Sequence, residues 1–518
     1  MTSTRRRPAA GALARWALWA IPLGFLAYLF AYPLARILAL SLRGSGFVEA
    51  FSSGRLASAA WFTAWQAVVS TVLVVLAAWP LTWAVSRFQF RGRELARALV
   101  TVPFALPTVV VGGAFLGLTG RGIQSILAAH VFYNLAVVVR TVGGIWEKLD
   151  PDLTDAAAVL GAGPWRRFRT VTLPILGPAI ASAAAIVFLF CFTSFGTVLI
   201  LGGGSLSTIE VEIYRQAVNF LDLPLSAALA VIQLLAVVAM LVISNRLQRR
   251  AAPFTVTESR LPAPGPRWPW VAASVLGTLG LLSLPLAGLL ARSLRGGGSG
   301  WRSLSGSGVA AVEPVGAIAN SLTYAAVTMI MAVVVGGCAA MLLARSRLDW
   351  FDTLLMLPLG TSAVTIGFGF LIALDRPIDL RGSWILVPLA HTLVAIPFVV
   401  RATLPVLRSI RAELREAASV LGASPSRVWR EIDLPIVARA LAVGAGFAAV
   451  VSLGEFGATS FVARPASATV PTLIFRLLGR PGTASFATAM ALSVVLTILT
   501  AVVILAIDRF RTGQPGSF

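Results

Sequence analysis

Only a few ionisable side chains lie inside the long apolar stretches of this 518-residue sequence. Glu455 is the clearest of them, because it stands in the apolar run VVSLGEFGATSFV between two glycines. A charged side chain in a bilayer costs free energy and usually marks a functional site, such as a cation pathway or a proton relay. The alternative is an acid that accepts hydrogen bonds from backbone groups at a helix break, which flanking glycines permit. The sequence leaves both interpretations open.

Two histidines and two further acids complete the set of residues that suggest chemistry. His130 and His391 stand at matching positions in the two halves of the chain, but neither has a second His or Cys at metal-ligand spacing. We therefore predict hydrogen-bonded structural histidines, with no metal site and no catalytic residue. Glu210 and Glu212 lie in a segment between apolar runs, where they either meet a cationic solute or a partner, or form a solvated loop surface.

The composition indicates that membrane helices carry these residues. The sequence is 57% hydrophobic and 12% charged, and its mean hydropathy is +0.86, values typical of integral membrane proteins. The net charge of +21 comes from arginines scattered between apolar runs rather than clustered on a polar domain, which argues against nucleic acid as a partner. Cys191 and Cys338 lie inside apolar runs, so neither a disulfide nor a zinc site is predicted.

Twelve apolar runs, six in each half of the chain, are long enough to cross a bilayer, which takes about 20 residues. The sequence thus predicts an all-α integral membrane protein with about twelve transmembrane helices. The runs fall near 16–40, 61–86, 98–119, 123–146, 176–201, 223–245, 269–291, 318–344, 351–374, 383–405, 436–462 and 484–507.

The distribution of basic residues sets the orientation of these spans. With both chain ends in the cytoplasm, about two thirds of the 42 lysines and arginines fall on cytoplasmic segments, as the positive-inside rule requires. We therefore predict cytoplasmic N and C termini. The Arg- and Pro-rich segment 251–268 is predicted to be a cytoplasmic linker between a first repeat at 1–250 and a second repeat at 269–518.

The chain has no phosphate-binding loop of the GxxxxGK[ST] type. Lys148 is the only lysine in the sequence, and no glycines surround it at the required spacing. The sequence therefore predicts that this chain is not an enzyme and binds no cofactor. Energy for any transport comes either from a partner or from coupled ion flow, and the second possibility depends on Glu455 as the one candidate acid.

One polar segment occurs twice in the sequence. Residues 149–174 and 410–435 align without a gap at an offset of 261 residues, with twelve of 26 positions identical. Each copy predicts a helix, a turn at a glycine that tolerates φ > 0 (Gly161 or Gly422), and a second helix. Because both halves start and end on the same side, the repeat is parallel, with a pseudo-twofold axis along the membrane normal and a central pathway.

These two segments resemble the EAA loop of ABC importer permeases, in which an acid and two alanines precede a glycine and a Leu-Pro pair. The first copy departs from the family pattern by having Asp155 where the family has Glu. The residues that carry the resemblance are Asp155, Ala156, Ala157, Gly161, Pro174, Glu416, Ala417, Ala418, Gly422 and Pro435.

The resemblance implies a type I importer permease made of two fused six-helix repeats in a bacterial inner membrane. It implies that two copies of a cytoplasmic ABC ATPase bind the two loops and use ATP and Mg²⁺. It also implies that an extracytoplasmic solute-binding protein delivers a small solute, and that transport proceeds by alternating access. The ten loop residues then couple the ATPase to the permease.

A closer resemblance suggests the solute. The fused layout is similar to that of thiamine and ferric-iron importer permeases, and the stretches 191–214 and 453–482 favour the thiamine type, although LGEFGAT also resembles molybdate and sulfate permeases. Thiamine is therefore the expected solute, with ferric iron as the alternative and an ion-coupled carrier as a third possibility. Ser194 and Phe195, with their counterparts Glu455 and Phe456, are the candidate pathway residues.

Overall fold

A computed structural model describes residues 9–43, 45–52, 54–249, 261–305, 313–346 and 348–511. Throughout these residues the regular secondary structure is helical. In this part of the chain, ten helices are long and apolar enough to cross a membrane, and two bent helix pairs bring the total to twelve if each pair counts as one span. The expected all-α membrane fold is therefore confirmed. The predicted linker lies outside the described residues as far as position 260.

The helices of the first half are Ala9–Leu26 (α1), Tyr32–Arg43 (α2), Gly46–Ser52 (α3), Gly54–Arg87 (α4), Arg93–Ala105 (α5), Thr108–Thr119 (α6), Ile123–Glu147 (α7), Pro151–Val159 (α8), Pro164–Arg167 (α9), Leu173–Phe192 (α10), Gly196–Leu201 (α11), Ile209–Tyr214 (α12) and Leu223–Arg249 (α13). The helices of the second half are Trp268–Ser293 (α14), Arg295–Arg302 (α15), Pro314–Arg345 (α16), Asp349–Gly360 (α17), Ala363–Ala373 (α18), Leu386–Ser409 (α19), Ala412–Val420 (α20), Pro425–Val428 (α21), Leu434–Gly454 (α22), Thr459–Val462 (α23), Val470–Leu478 (α24) and Thr483–Arg511 (α25). Short π-helical segments at Ala27–Ala31 and Arg215–Asn219 follow α1 and α12.

Two further π-helical segments occupy equivalent positions in the two halves. Phe168–Thr172 joins α9 to α10, and Trp429–Asp433 joins α21 to α22. Each segment ends two residues before a proline, Pro174 or Pro435. Proline has no N–H for the α-helical bond, and its ring clashes with the carbonyl four residues earlier, so a wider turn relieves the strain. The repeated Leu-Pro pair therefore determines the geometry of the junction between the loop helix and the membrane helix that follows it.

Two of the predicted spans are sharply bent. The axes of α5 and α6 differ by 96°, and those of α17 and α18 differ by 94°. In the first pair, Leu106 is extended because it precedes Pro107, which cannot continue the helix. In the second pair, the Ser362 hydroxyl caps α18 by accepting from the Val364 N–H over 3.1 Å. The spans predicted near 98–119 and 351–374 each consist of two helices joined by a sharp bend.

The first helices of each half pack against the other half. Helix α1 contacts α16 and α2 contacts α18, while α14 contacts α4 and α6. The approach is close enough that a Cβ on Gly369 would lie 3.0 Å from the Pro33 side chain, and one on Gly117 would lie 2.8 Å from Arg292. The two repeats are thus interlocked, because the first helices of each repeat pack against the other repeat.

The centre of each half is a three-helix group, formed by α4, α7 and α10 and by α16, α19 and α22. In the second group, a Cβ added at Gly336 or at Gly444 would lie 3.0 Å from Val399. Small residues at such crossings allow the close helix approach that packing inside a bilayer depends on. Apolar side chains such as Leu76 and Leu505 remain exposed on the outside, where they contact lipid.

Candidate coupling and pathway sites

The two repeated loops have the same backbone. Helices α8 and α20 both end at a glycine in the left-handed region, Gly161 with φ of 79° and Gly422 with φ of 80°. In the first copy the Ala162 N–H donates to the Ala157 carbonyl over 3.0 Å, and the second copy repeats this bond at 2.9 Å. This is the Schellman arrangement that terminates helices. A Cβ at either glycine would meet no atom within 4 Å, so the backbone angle alone requires glycine.

The structure places all ten predicted coupling residues at the surface. Ala157 and Ala418 are half-buried, and the other eight are exposed. Asp150 caps α8 by accepting from the Asp152 N–H over 3.0 Å, whereas the side chains of Asp155 and Glu416 are exposed to solvent. Both acids are therefore available to a partner.

The structure adds a pair of apolar residues that sequence reasoning did not single out. Val159 and Leu160 are 88% and 87% exposed, and Val420 and Leu421 are 87% and 88% exposed. Such exposure of two adjacent aliphatic side chains on a polar loop is typical of a docking surface. The signal was present in the sequence, because Val-Leu-Gly is identical in the two copies.

The loops are anchored by different interactions in the two halves. In the first half, Phe168 packs between Trp79 and Trp165, with ring centroids 5.8 and 5.6 Å apart. In the second half, the Arg415 guanidinium donates to the buried Asp433 carboxylate over 2.8 Å. The residues that correspond to this ion pair in the first half are threonines. One loop is thus held to its membrane helix by aromatic packing, and the other by a charge pair.

Two of the candidate pathway residues meet at the centre of the molecule. Phe195 and Phe456 are buried and stack with their centroids 5.5 Å apart and their planes inclined by 20°. They are related by the 261-residue offset, and two equivalent residues that touch must lie at the pseudo-twofold axis. The adjacent Gly196 leaves no room for a Cβ, which would lie 2.7 Å from Thr108 and 3.1 Å from Phe456.

The stacked pair belongs to a longer chain of aromatic rings. Phe195 also packs against Tyr214 at 5.5 Å, and Tyr214 packs edge-on against Phe461 at 5.4 Å. On the other side, Phe456 packs against Phe475 at 5.3 Å. These rings come from the breaks after α10 and α22 and from α12, α23 and α24, so the two halves meet through aromatic side chains.

The Glu455 carboxylate is hydrogen-bonded within the break that follows α22. Its carboxylate accepts hydrogen bonds from the N–H groups of Ala458 and Thr459 over 2.8 and 2.9 Å and from the Thr459 hydroxyl over 2.5 Å. It also lies 3.3 Å from Nε2 of His391, and its side chain is 5% exposed. Of the two interpretations of this acid, the geometry supports a carboxylate that satisfies backbone groups at a helix break.

Both histidines are hydrogen-bonded inside the structure, as expected. His130 lies 2.9 Å from Ser70 through Nδ1 and 2.9 Å from Ser194 through Nε2. His391 lies 2.7 Å from the Ser452 hydroxyl through Nδ1. Ser194 therefore contacts His130, and Glu455 contacts His391. These contacts join the break after α10 to α7 and the break after α22 to α19.

Glu210 and Glu212 are buried, so the solvated-loop interpretation is wrong. Glu210 accepts a hydrogen bond from Gln233 over 3.1 Å and one from Ser362 of the other half over 2.5 Å. Glu212 pairs with Arg215 over 3.1 Å. The burial was not visible in the sequence, because it depends on packing between α12, α13 and α18.

The comparison with known proteins agrees with this architecture. The family described as "binding-protein-dependent transport system inner membrane component" matches the chain twice, at residues 75–255 and 318–512. The chain belongs to this family, and it is a multi-pass inner-membrane permease of an ABC importer. The resemblance to a fused two-repeat permease is confirmed.

Individual members of the family are similar to this chain to different extents. The thiamine transport system permease protein ThiP of Brucella abortus (strain 2308) is 31% identical over 100% of this chain and 98% of its own length. ThiP of Escherichia coli (strain K12) is 30% identical over 81% of this chain and 83% of its own. The sulfate transport system permease protein CysT of the same strain is 33% identical over 33% of this chain and 68% of its own.

Proposed function

We propose that this chain forms the translocation pathway of a thiamine importer. The observation that supports thiamine as the solute is the alignment with thiamine permeases along the whole chain. The sulfate permease aligns with only a third of the chain. The chain works by alternating access and draws its energy from a separate ATPase. ATP and Mg²⁺ are used by that partner, and this chain binds no cofactor.

Two copies of the cytoplasmic ATPase dock on α8 and α20, one on each. Support comes from the equal exposure of Leu160 and Leu421 and from the identical backbone of the two turns. The apolar pair enters a groove of the partner, while Asp155 and Glu416 provide polar contacts at its edge. Both termini lie on this cytoplasmic side.

An extracytoplasmic solute-binding protein delivers thiamine from the opposite side. The stacked Phe195–Phe456 pair closes the pathway at the axis in the present conformation. Because the two rings come from different halves, movement of the coupling loops changes their separation. Phe195 and Phe456 are therefore the pathway residues, and Ser194 and Glu455 support the breaks that carry them.

The experiment is thiamine uptake by proteoliposomes that contain this permease and its ATPase, with the solute-binding protein on one side and ATP and Mg²⁺ on the other. We expect uptake that requires all three proteins and hydrolysable ATP. The isolated solute-binding protein is titrated in parallel with thiamine and with ferric iron. Iron binding without thiamine binding contradicts the solute, and uptake that survives without ATP but stops with an uncoupler contradicts the importer mechanism.

A further inference from the structure

A cavity of about 370 Å³ lies beside the stacked pair on the axis. Its aromatic lining comprises Tyr214, Phe456, Phe461 and Phe475, which belong to the ring chain described above. Small-molecule sites typically measure about 300–1,000 Å³ and combine apolar walls with a few polar groups. Flat aromatic walls favour a ligand that contains planar rings, since rings stack or pack edge-on at short centroid distances.

One charged residue, Arg476, also lines this cavity. It is partly buried, and among the described residues no hydrogen bond or ion pair engages its guanidinium. Its counterpart in the first half, Arg215, is paired with Glu212. The position that corresponds to Glu212 is the buried Leu473, so the second half has the arginine but no acid at the matching position. The guanidinium of Arg476 is therefore available to donate hydrogen bonds to a ligand inside the cavity.

We propose that this cavity holds thiamine during transport, an inference that rests on the solute proposed above. The aminopyrimidine and thiazolium rings of thiamine pack against Phe456, Phe475, Tyr214 and Phe461. Arg476 donates hydrogen bonds to the acceptor nitrogens of the aminopyrimidine. The thiazolium carries the positive charge of the solute, so it lies away from Arg476 and over the ring faces, which attract cations.

The first test compares Arg476 with its matched control Arg215 in the same uptake assay. Arg476→Leu is expected to lower thiamine uptake about tenfold, the effect of losing a charge-assisted hydrogen bond to the solute. Arg476→Gln keeps N–H donors and is expected to restore part of the uptake. Arg215→Leu, outside the cavity lining, is expected to keep most of it. In all three variants, stimulation of the ATPase by the loaded solute-binding protein is expected to persist, which shows that the permease is folded and coupled.

Uptake by Arg476→Leu at the wild-type rate overturns the proposal, and so does an equal loss in Arg215→Leu. The readouts separate this inference from the proposed solute. Absence of thiamine uptake by the wild-type importer contradicts the solute, whereas wild-type uptake that is unaffected by Arg476→Leu contradicts the site alone.

A second test locates the solute without relying on Arg476. Ala463 lines the cavity, and it is changed to Cys after Cys191 and Cys338 have been replaced by Ala. Millimolar thiamine is expected to slow maleimide labelling of Ala463→Cys, and to leave labelling of Val48→Cys, at an exposed position outside the cavity, unchanged. Equal labelling with and without thiamine at both positions, in an importer that takes up thiamine, overturns the proposal.

Discussion

The chain breaks at equivalent points after α10 and after α22, and the two breaks are stabilised differently. In the first half, Ser194 makes one hydrogen bond to His130. In the second half, Glu455 contacts His391 and also satisfies two backbone N–H groups. What both halves share is the aromatic residue that follows, which reaches the axis. The comparison shows that Glu455, which has no acidic counterpart in the first half, stabilises the local backbone. The repeated residues Phe195 and Phe456 form the contact between the halves.

The largest expected effect tests this difference between Glu455 and Ser194. Glu455→Ala removes acceptors from two buried N–H groups and should lower the free energy of unfolding by about 3 kcal/mol, whereas Ser194→Ala removes one hydrogen bond and should cost about 1 kcal/mol. Thermal unfolding of the purified permease in detergent measures both. Equal destabilisation by the two variants would show that the breaks are supported alike.

Glu455→Gln separates the structural role from a cation-coupled one. The amide oxygen of Gln replaces one of the two carboxylate oxygens that accept from the backbone, so part of the stability is lost, but ATP-driven thiamine uptake by the folded permease should stay within about twofold of wild type. A larger loss of uptake by the folded variant would instead assign the charge a part in transport.

The next effect concerns the coupling loops, which the structure shows to be alike. Leu160→Asp and Leu421→Asp should each lower uptake roughly thirtyfold, since docking loses the burial of a leucine, worth about 2 kcal/mol. Both positions are nearly fully exposed, so permease stability should not change. Copurification of the ATPase and uptake are measured for each. A strong effect at one leucine and none at the other would show that the two loops dock differently.

A smaller effect is expected at the glycines that end these loop helices. Gly161→Ala and Gly422→Ala each place a residue with a Cβ in the left-handed region, which should destabilise the loop turn by about 1 kcal/mol. Asn tolerates that region, so the Asn variants should destabilise the turn less. The open space around both positions makes backbone strain the only source of this cost. ATPase stimulation by the loaded solute-binding protein reports the change, and an Asn variant no better than Ala would point to the partner's surface instead.

The smallest effect tests a surface pair present in the second loop. Arg427 pairs with Glu431 over 2.9 Å, with both side chains about 60% exposed. Glu431→Gln should change stability by less than about 0.5 kcal/mol and leave uptake unchanged. Any larger loss would mean that Glu431 contacts the ATPase, and the second loop would then have a contact that the first lacks.

Much of the architecture could be predicted from the sequence, because it depends on local patterns. Apolar runs of sufficient length gave the spans, and the repeated loop gave the helix–glycine–helix turn that Gly161 and Gly422 form. The 96° and 94° bends at Pro107 and Ser362 were not predicted, because a proline or serine inside an apolar run fits either a kinked or a broken span, and packing decides between them. The approach of His391 to Glu455 was not predictable, because it joins distant segments. The stack of Phe195 on Phe456 also required knowing where the axis lies. The pairing of equivalent residues was the signal, and only the structure shows that they touch.

The exchange of first helices between the halves has a consequence for how the protein is made. Helix α1 is synthesised early, yet its neighbour α16 begins at Pro314. At bacterial synthesis rates of about 5–20 residues per second, α1 waits roughly 15–60 s for that neighbour. During this interval the face of α1 that α16 later covers is without that neighbour. A half-length product that ends at the linker therefore lacks α16, the packing partner of its own first helix. Both halves must be synthesised before either one reaches its final packing.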